Sequence, residues 1–177
     1  LAYEKLKSKS VSIKKHLAYL EGQDFNDYLN DMAIVQKYAV LNRKAIVDEI
    51  ISRMDIDIEE QFTTIHNYID LDDMILRKGA ISAKKDQKIL IPINMRDGSL
   101  ICIGKGNKDW NYSAPHGAGR IMSRRQAKKS ITLEEFKKSM EGIYTTTVNK
   151  HTLDEAAFVY KPMDEIINNI QDTVEII

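Results

Sequence analysis

The sequence predicts an α+β fold, organised as a single unit over residues 1–177. Three observations support this prediction: a long helical pattern near the start, β-branched segments interrupted by glycine in the middle, and helical patterns again near the end. The sequence contains no internal repeat and no low-complexity linker. We therefore expect a long N-terminal helix, mostly antiparallel central strands and C-terminal helices.

The first helix is predicted over residues 25–54, a segment without glycine or proline. Its apolar residues recur every three or four positions and charged residues occupy the opposite face, which is typical of a scaffold helix. Asp24 is a candidate N-cap for this helix. Residues 5–15 lack a wide apolar stripe, so this stretch is predicted to be a short helix or a loop.

Strands are predicted in the middle third. Residues 62–66 are rich in β-branched and aromatic side chains and predict a strand that ends at His66. Two short strands are expected on either side of Gly79. Two further strands are predicted over residues 88–92 and 99–104, joined by a turn that contains Asp97 and Gly98.

The last third returns to helical patterns. Thr132 and Glu135 have the spacing of a capping box and predict the start of one helix. The remaining predictions are a helix over residues 119–129, a β-rich stretch at 143–148, short helices over 152–158 and 162–170, and a strand over 173–177.

The composition restricts the class of protein. The 26 Lys and Arg residues balance the 26 Asp and Glu residues, so any anion site must be local. The single cysteine excludes an internal disulfide, and Cys102 is predicted to be a buried strand residue. No apolar run is long enough to span a bilayer and no secretory signal is present, so we expect a cytoplasmic protein without membrane association. Because the chain begins with Leu1 and not with methionine, we expect it to be part of a longer protein.

The most informative segment is residues 113–124, Ser-Ala-Pro-His-Gly-Ala-Gly-Arg-Ile-Met-Ser-Arg. Its glycines allow backbone N–H groups to approach a ligand closely, and a helix that begins just after them would favour a phosphate there. His116 would then act on a phosphorus atom while Arg120 and Arg124 hold the charge. The simpler interpretation is a glycine turn that caps a helix, with a surface histidine.

Other candidate groups also have two interpretations each. His66 is either a metal ligand or a structural residue of a strand. Arg77 and Lys78, beside Gly79, form either a phosphate contact or an exposed pair. A basic cluster suits an RNA backbone or is a solvated helix face; its members are Arg120, Arg124, Arg125, Lys128 and Lys129. His16 and His151 are predicted to be surface residues.

Several motifs together resemble the RtcB family of RNA-splicing ligases, over the chain from about residue 17 onward. The combination of H-G-A-G-R-x-M-S-R with R-K-G-A is highly specific for that family. In chain order the motifs are Phe25-Asn26-Asp27-Tyr28, Asn42-Arg43, His66-Asn67-Tyr68, Arg77-Lys78-Gly79-Ala80, residues 113–124 and Tyr160-Lys161-Pro162-Met163-Asp164-Glu165. They resemble the C-terminal part of such an enzyme.

The resemblance implies an activity. RtcB ligases join an RNA 3′-phosphate or 2′,3′-cyclic phosphate end to a 5′-hydroxyl end, using GTP and Mn²⁺, in tRNA splicing and RNA repair. His116 matches the histidine that carries GMP, and His66 matches a manganese ligand. Arg120 and Arg124 would contact RNA. The residues that match nucleotide contacts are Asn67, Pro92, Ile93, Asn94, Met95, Ser99, Gly117, Ala118, Gly119 and Tyr160.

Two departures from the family keep alternatives open. The family loop reads Pro-Gly-Ser-Met, whereas this chain has β-branched Ile93 and Asn94 between Pro92 and Met95. The remaining manganese ligands of the family, an aspartate, a cysteine and two histidines, belong to its N-terminal portion. We therefore expect that the isolated chain does not ligate RNA. The alternatives are a divergent, non-catalytic paralogue that binds RNA or a protein partner, and a purely structural fragment.

Overall fold

The computed structural model describes residues 1–9 and 12–177 and combines helices with small antiparallel sheets, which confirms the α+β class. In chain order the elements are α1 (Ala2–Ser8), α2 (Gly22–Met54), β1 (His66–Asp70), β2 (Ile75–Ser82), β3 (Lys88–Asn94), β4 (Gly98–Gly104), β5 (Ser113–Pro115), α3 (Arg124–Ser130), α4 (Leu133–Ser139), α5 (Met163–Ile170) and β6 (Val174–Ile176). Short 3₁₀ turns lie at Lys15–Leu17, Lys108–Trp110, Leu153–Glu155 and Ala157–Val159.

The described chain divides into two compact units. The first comprises Leu1–Glu59 with Leu71–Met74, and the second comprises Glu60–Asp70 with Ile75–Ile177. That the whole chain forms one α+β unit stays a prediction. Part of the predicted helix or loop at 5–15, namely residues 10 and 11, lies outside the described residues.

The long helix of the first unit is α2. It begins after Glu21, so the predicted N-cap was wrong: Asp24 lies in the first turn and pairs with Lys5 at 2.6 Å. None of its residues is buried, and apolar side chains such as Tyr38 and Ile34 are more than half exposed. No helix in the described ranges is both long and apolar enough to cross a membrane.

The first sheet of the second unit has the order β1-β2-β5. β1 begins at His66, where the sequence had predicted a strand to end, and β2 runs through Gly79 as one strand instead of two. Both corrections have a backbone cause. Gly79 has a positive φ of +70° inside the strand, and Asn67 has a positive φ of +56° at an irregularity in the β1–β2 register.

The second sheet has the order β3-β4-β6 and all its pairs are antiparallel. The predicted hairpin is confirmed, with Asp97 and Gly98 at the turn between β3 and β4. Cys102 is fully buried on β4, as predicted. β6 pairs with β4 through Cys102 and Ile176, and α5 contributes Ile166 and Ile170 to the same core. This core also includes Ile81 of β2 and Ala114 of β5, the strand that leads to His116.

The remaining helices form a second small core around Phe136, which is 0 % exposed. The capping box of Thr132 and Glu135 is present as predicted. The predicted β-rich stretch at 143–148 forms no strand, and the helix predicted over 152–158 consists of two 3₁₀ turns. The helix over 162–170 and the strand over 173–177 are confirmed within a residue or two as α5 and β6.

Candidate functional site

Two histidines from the two edge strands of the first sheet meet across its middle strand. The rings of His66, at the start of β1, and His116, just after β5, are stacked with centroids 5.1 Å apart and planes 20° apart. Both residues are exposed, so both imidazoles are open to a ligand. The pairing follows from the sheet order, because β2 lies between β1 and β5 and brings the two strand ends together.

β2 supports both histidines through Gly79. The Gly79 carbonyl accepts a hydrogen bond from the His116 N–H at 3.4 Å, and its N–H donates to Oδ1 of Asn67 at 2.9 Å. A Cβ atom on residue 79 would lie 3.6 Å from Cε1 of the His116 ring. The side-chain oxygen of Asn67, a residue predicted to contact a nucleotide, is therefore engaged by the same glycine of β2 that binds the His116 backbone.

The turn after His116 is held by its own backbone. Ala118 N–H donates to the Pro92 carbonyl at 3.2 Å, so this predicted ligand contact is used within the protein. Within the described residues, the N–H groups of Gly117 and Gly119 donate to no backbone carbonyl. Among the backbone donors of the turn, these two N–H groups therefore have no backbone acceptor in the described part of the chain.

The two glycines of the turn are required for different reasons. A Cβ at Gly117 would lie 3.1 Å from the Pro92 carbonyl oxygen, so a side chain there would require the two segments to move apart by a few tenths of an ångström. Gly119 has open space around it but a φ of +73°, which L residues rarely adopt. Its carbonyl accepts from Lys161 N–H at 3.1 Å, which ties the turn to the segment before α5.

The helix predicted to start at Gly119 was wrong. α3 begins at Arg124, capped by Ser123, whose side chain accepts from Gln126 N–H. A serine cap with extended backbone is a strong local signal for a helix start, and Gly119 in a left-handed conformation does not begin a helix. No helix N-terminus of the described chain therefore begins at the His116 turn.

Arg120 is fixed against Tyr160. Its guanidinium donates to the Tyr160 hydroxyl at 2.8 Å and stacks over the ring at 4.8 Å, while the two backbones form an isolated β-bridge. It also donates to the backbone carbonyl of Asp154 and lies 3.7 Å from Glu155. The Tyr160 hydroxyl in turn donates to Glu155. We call Arg120, Asp154, Glu155 and Tyr160, together with Arg124, the Tyr160 cluster.

Arg124 completes the Tyr160 cluster. It donates to Asp154 Oδ2 at 2.5 Å and to Glu155, although its side chain is 64 % exposed. The hydrogen bond from Arg124 holds the pKa of Asp154 below its usual range, and that of Arg124 is raised. The two predicted RNA-binding cations are therefore balanced by two carboxylates.

Burial and hydrogen bonding also shift the pKa values of Glu155 and Tyr160 in the cluster. Burial alone would raise the pKa of Glu155, but hydrogen bonds from Tyr160 and Arg124 outweigh it and the pKa is lowered. Burial raises the pKa of Tyr160, and its hydrogen bond to the Glu155 carboxylate raises it further. The phenol is thus kept protonated beside a charged carboxylate.

The predicted nucleotide loop forms the end of a hairpin. Pro92 and Ser99 face each other across β3 and β4, and both are exposed. Ile93 is a strand residue that is 3 % exposed and packs in the core, with no positive φ. Asn94 binds the turn internally, accepting from the N–H groups of Arg96 and Asp97. Met95 packs, partly buried, against the second core.

Metal-ligating side chains are sparse. Among residues 1–9 and 12–177, no group of three or more His, Cys, Asp or Glu side chains is placed to hold a metal ion. His66 is therefore one potential imidazole ligand without a completed donor set in this chain. His16 and His151 are exposed, as predicted.

Sequence reasoning missed the acids of the Tyr160 cluster and misjudged Arg77. Arg77 is 1 % exposed and is neither a phosphate contact nor an exposed residue. It donates to Tyr68, Asp70 and Ser113, each at 3.0 Å. Asp154 and Glu155 carry no motif or periodicity of their own, so no local pattern could have singled them out.

Comparisons with known proteins agree with these motifs. A family model described as tRNA-splicing ligase RtcB matches residues 2–177. The RNA-splicing ligase RtcB of Escherichia coli K12 is 31 % identical, over 92 % of this chain and 44 % of its own length. The tRNA-splicing ligase RtcB of Aeropyrum pernix is also 31 % identical, over 79 % of this chain and 37 % of its own. The chain thus spans less than half the length of these relatives.

Proposed function

Because the chain belongs to the tRNA-splicing ligase RtcB family, we propose that it supplies part of the active site of an RNA ligase. The reaction joins an RNA 3′-phosphate or 2′,3′-cyclic phosphate end to a 5′-hydroxyl end. The observation that carries the proposal is the exposed His116 imidazole, stacked on His66 and followed by the turn with two unengaged glycine amides.

His116 is the proposed nucleophile. A ring nitrogen attacks the α-phosphorus of GTP, a P–N bond forms, the bond to pyrophosphate breaks and pyrophosphate leaves. GMP then passes from His116 to the RNA 3′-phosphate, which frees the imidazole. The RNA 5′-hydroxyl attacks the activated phosphate, loses its proton and displaces GMP. For the first step, stacking on His66 orients the imidazole, and the hydrogen bond from the His116 backbone N–H to Gly79 fixes the backbone that carries it.

The guanylate is proposed to lie along the His116 turn. The N–H groups of Gly117 and Gly119 are free to stabilise phosphoryl oxygens, as an oxyanion hole does. Asn67 keeps its side-chain N–H₂ for the ligand while its oxygen holds Gly79. The remaining proposed nucleotide contacts are Pro92, Asn94, Met95, Ser99 and Tyr160. Ile93 and Ala118 are not among them, because the Ile93 side chain is buried in the core and the Ala118 N–H donates to Pro92.

The two arginines are proposed to act differently toward RNA. The exposed side of Arg124 contacts an RNA phosphate, since its side chain is 64 % exposed. Arg120 is only 22 % exposed and is engaged by Tyr160 and Asp154, so it orients the turn on which His116 lies. The acids that pair with both arginines make this contact weaker than one from an unpaired basic cluster.

The manganese ion of the family does not fit this chain alone. His66 would supply one ligand, but the described residues hold no group of three potential ligands, and one imidazole does not bind Mn²⁺ tightly. We therefore assign no step to the metal here. The other ligands are proposed to come from the N-terminal portion of the enzyme, so the isolated chain does not ligate RNA.

The test uses the enzyme in which this chain is joined to its N-terminal portion. Incubation with GTP labelled at the α-phosphate, in the presence of Mn²⁺, transfers label to the protein in an acid-labile form, as expected of a phosphoramidate. His116→Ala abolishes the label. His151→Ala, which changes another exposed histidine, retains it. Absence of label on the unmodified enzyme, or its persistence in His116→Ala, contradicts the proposal.

A second candidate is a non-catalytic paralogue that binds RNA or a protein partner. The observation that favours it is Ile93, which is buried in the core where the family has a glycine. This candidate predicts that the same complete enzyme binds RNA but takes no label from GTP. Label that depends on His116 rules it out.

A further inference from the structure

A cavity of about 590 Å³ opens beside the His116 turn, within the second unit. Its walls are β5, the turn itself, α5 and the 3₁₀ turn before β5. Trp110, Pro115, Gly117, Lys161, Glu165 and Asn169 are among its lining residues. Its volume lies in the range of pockets that bind a nucleoside or a similar small molecule.

Trp110 provides a flat aromatic surface at this cavity. It is the single tryptophan of the chain and is 56 % exposed. Its 3₁₀ turn is held in place by Asn107, whose side chain accepts from Asp109 N–H at 2.9 Å and donates to the Asp172 carbonyl at 3.0 Å. An exposed indole on a fixed backbone is a suitable platform for stacking.

The charge of the cavity favours an uncharged ligand group over a phosphate. Lys161 pairs with Glu165 at 2.7 Å, so the cation and the anion of the lining cancel. Asn169 donates from its side-chain N–H₂ to the Glu165 carbonyl at 2.7 Å, which leaves its Oδ1 for a ligand. A flat group with hydrogen-bonding edges matches this lining, and nucleobases have that chemistry.

The location of the cavity connects it to the proposed reaction. Pro115 and Gly117, the two chain neighbours of His116, both line it, whereas the stacked histidine rings do not. A nucleotide in the cavity would therefore lie within one residue of the nucleophile without occupying its face toward His66.

We propose that this cavity binds a nucleobase of the RNA strand, stacked on Trp110. The inference rests on the proposed function, because it takes the substrate to be RNA, and it adds a base-binding subsite that is separate from the guanylate contacts. Recognition by stacking is tolerant of base identity, so the site positions an RNA end without selecting its sequence.

Trp110 is the one tryptophan of the 177-residue chain, so its emission reports on this site alone. A single-stranded oligouridylate is titrated into that chain while tryptophan emission is followed, and stacking is expected to quench it. A base-free ribose-phosphate oligomer of equal length and charge is expected to leave the emission unchanged. Absence of quenching by RNA, or equal quenching by the base-free oligomer, overturns the proposal. This experiment needs no variant and so does not depend on variant folding.

Variants measure the contribution of the ring. In fluorescence anisotropy with labelled RNA, Trp110→Ala is expected to raise Kd roughly 5- to 150-fold, the range for loss of one base stack. Trp110→Phe is expected to retain most of the affinity. Tyr144→Ala is the matched control, because Tyr144 is a 94 % exposed aromatic outside the cavity, and its Kd is expected to stay unchanged. An equal loss in Trp110→Ala and Tyr144→Ala overturns the proposal.

The result also separates this inference from the proposed function. RNA binding that is insensitive to Trp110 rejects the subsite while the His116 labelling experiment still decides the ligase assignment. Conversely, a Trp110-dependent base stack in an enzyme that takes no label supports the subsite and rejects the catalytic proposal.

Discussion

The rings of His66 and His116 lie stacked with centroids 5.1 Å apart, although they come from opposite edges of a three-stranded sheet. The middle strand makes this possible. Gly79 on β2 donates to the side chain of Asn67, the residue after His66, and accepts from the backbone N–H of His116, so one glycine binds both segments that carry the imidazoles. The geometry of the site is therefore sensitive to the backbone of β2.

Gly79→Ala is expected to lower the free energy of unfolding by about 1–2 kcal/mol, the cost of placing an L residue in the left-handed region. The φ of Gly79 is +70°, and the added Cβ would make only ordinary contact with His116 at 3.6 Å. Urea denaturation measures the loss. Gly142→Ala, at φ +82° with open space around it, is the control and should show a similar loss. An unchanged free energy of unfolding for Gly79→Ala would contradict the prediction that a side chain at this φ strains the backbone.

Arg77→Met is expected to destabilise the protein by about 3 kcal/mol, because the largely buried Asp70 carboxylate loses its guanidinium partner and keeps the ion pair with the half-exposed Lys84 at 3.3 Å. Arg77 is 1 % exposed and pairs with Asp70 at 3.0 Å. The comparison is Lys78→Met, an exposed neighbour on the same strand, for which a change within about 0.5 kcal/mol is expected. Equal unfolding midpoints for the two variants would argue against a structural role of Arg77.

Asp154 should make stability depend on pH. Because folding lowers its pKa, chiefly through the hydrogen bond from Arg124, the folded state binds this proton less tightly than the unfolded chain. Its contribution is present above the ordinary pKa of 3.8 and is lost as the pH falls through the lowered value. Asp154→Asn is therefore expected to lose less stability than the unmodified protein on acidification.

Urea denaturation between about pH 6 and about pH 3 checks this prediction. Asp109→Asn is the control, since Asp109 is an exposed carboxylate that forms no ion pair in the described part of the chain. Parallel pH profiles for Asp154→Asn and the unmodified protein would exclude a stabilising role for the ion pair with Arg124.

Cys102 is expected to resist thiol reagents while the protein is folded. Its side chain is fully buried, and burial raises the pKa of the thiol, so both access and the thiolate fraction are reduced. The single cysteine makes the measurement unambiguous: modification should follow the urea unfolding curve. Rapid modification of Cys102 without denaturant would contradict the prediction, because it would show that local unfolding of β4 exposes the thiol.

The features that could be predicted from the sequence are those formed by residues close together in the chain. The capping box needs only Thr132 and Glu135, three residues apart, and the Asp97-Gly98 turn needs only its own backbone, so both were predicted. The start of α3 was also local, but the Ser123 cap was overlooked in favour of the glycines before it.

The rest depends on partners that are distant in the chain. A glycine inside a strand normally weakens it, yet β2 continues through Gly79 because β2 is paired with β1 on one side and with β5 on the other. Arg77 looks like a surface cation, but its partners Tyr68 and Ser113 come from two other strands. Single-sequence patterns do not contain such pairings, which is why the strand bounds and the Tyr160 cluster were not predicted.

The pairing of β4 with β6 has a consequence for the order of folding. Cys102 pairs with Ile176, so this contact closes a long loop that contains the His116 turn, whereas β3 and β4 form a short hairpin. Loops of this length close slowly, and we expect β6 to join after the hairpin. Pulsed hydrogen exchange during refolding would then protect Gly104 N–H, bonded to Gln87, before Lys105 N–H, bonded to Thr173. The His116 turn therefore lies inside the loop that this late pairing closes.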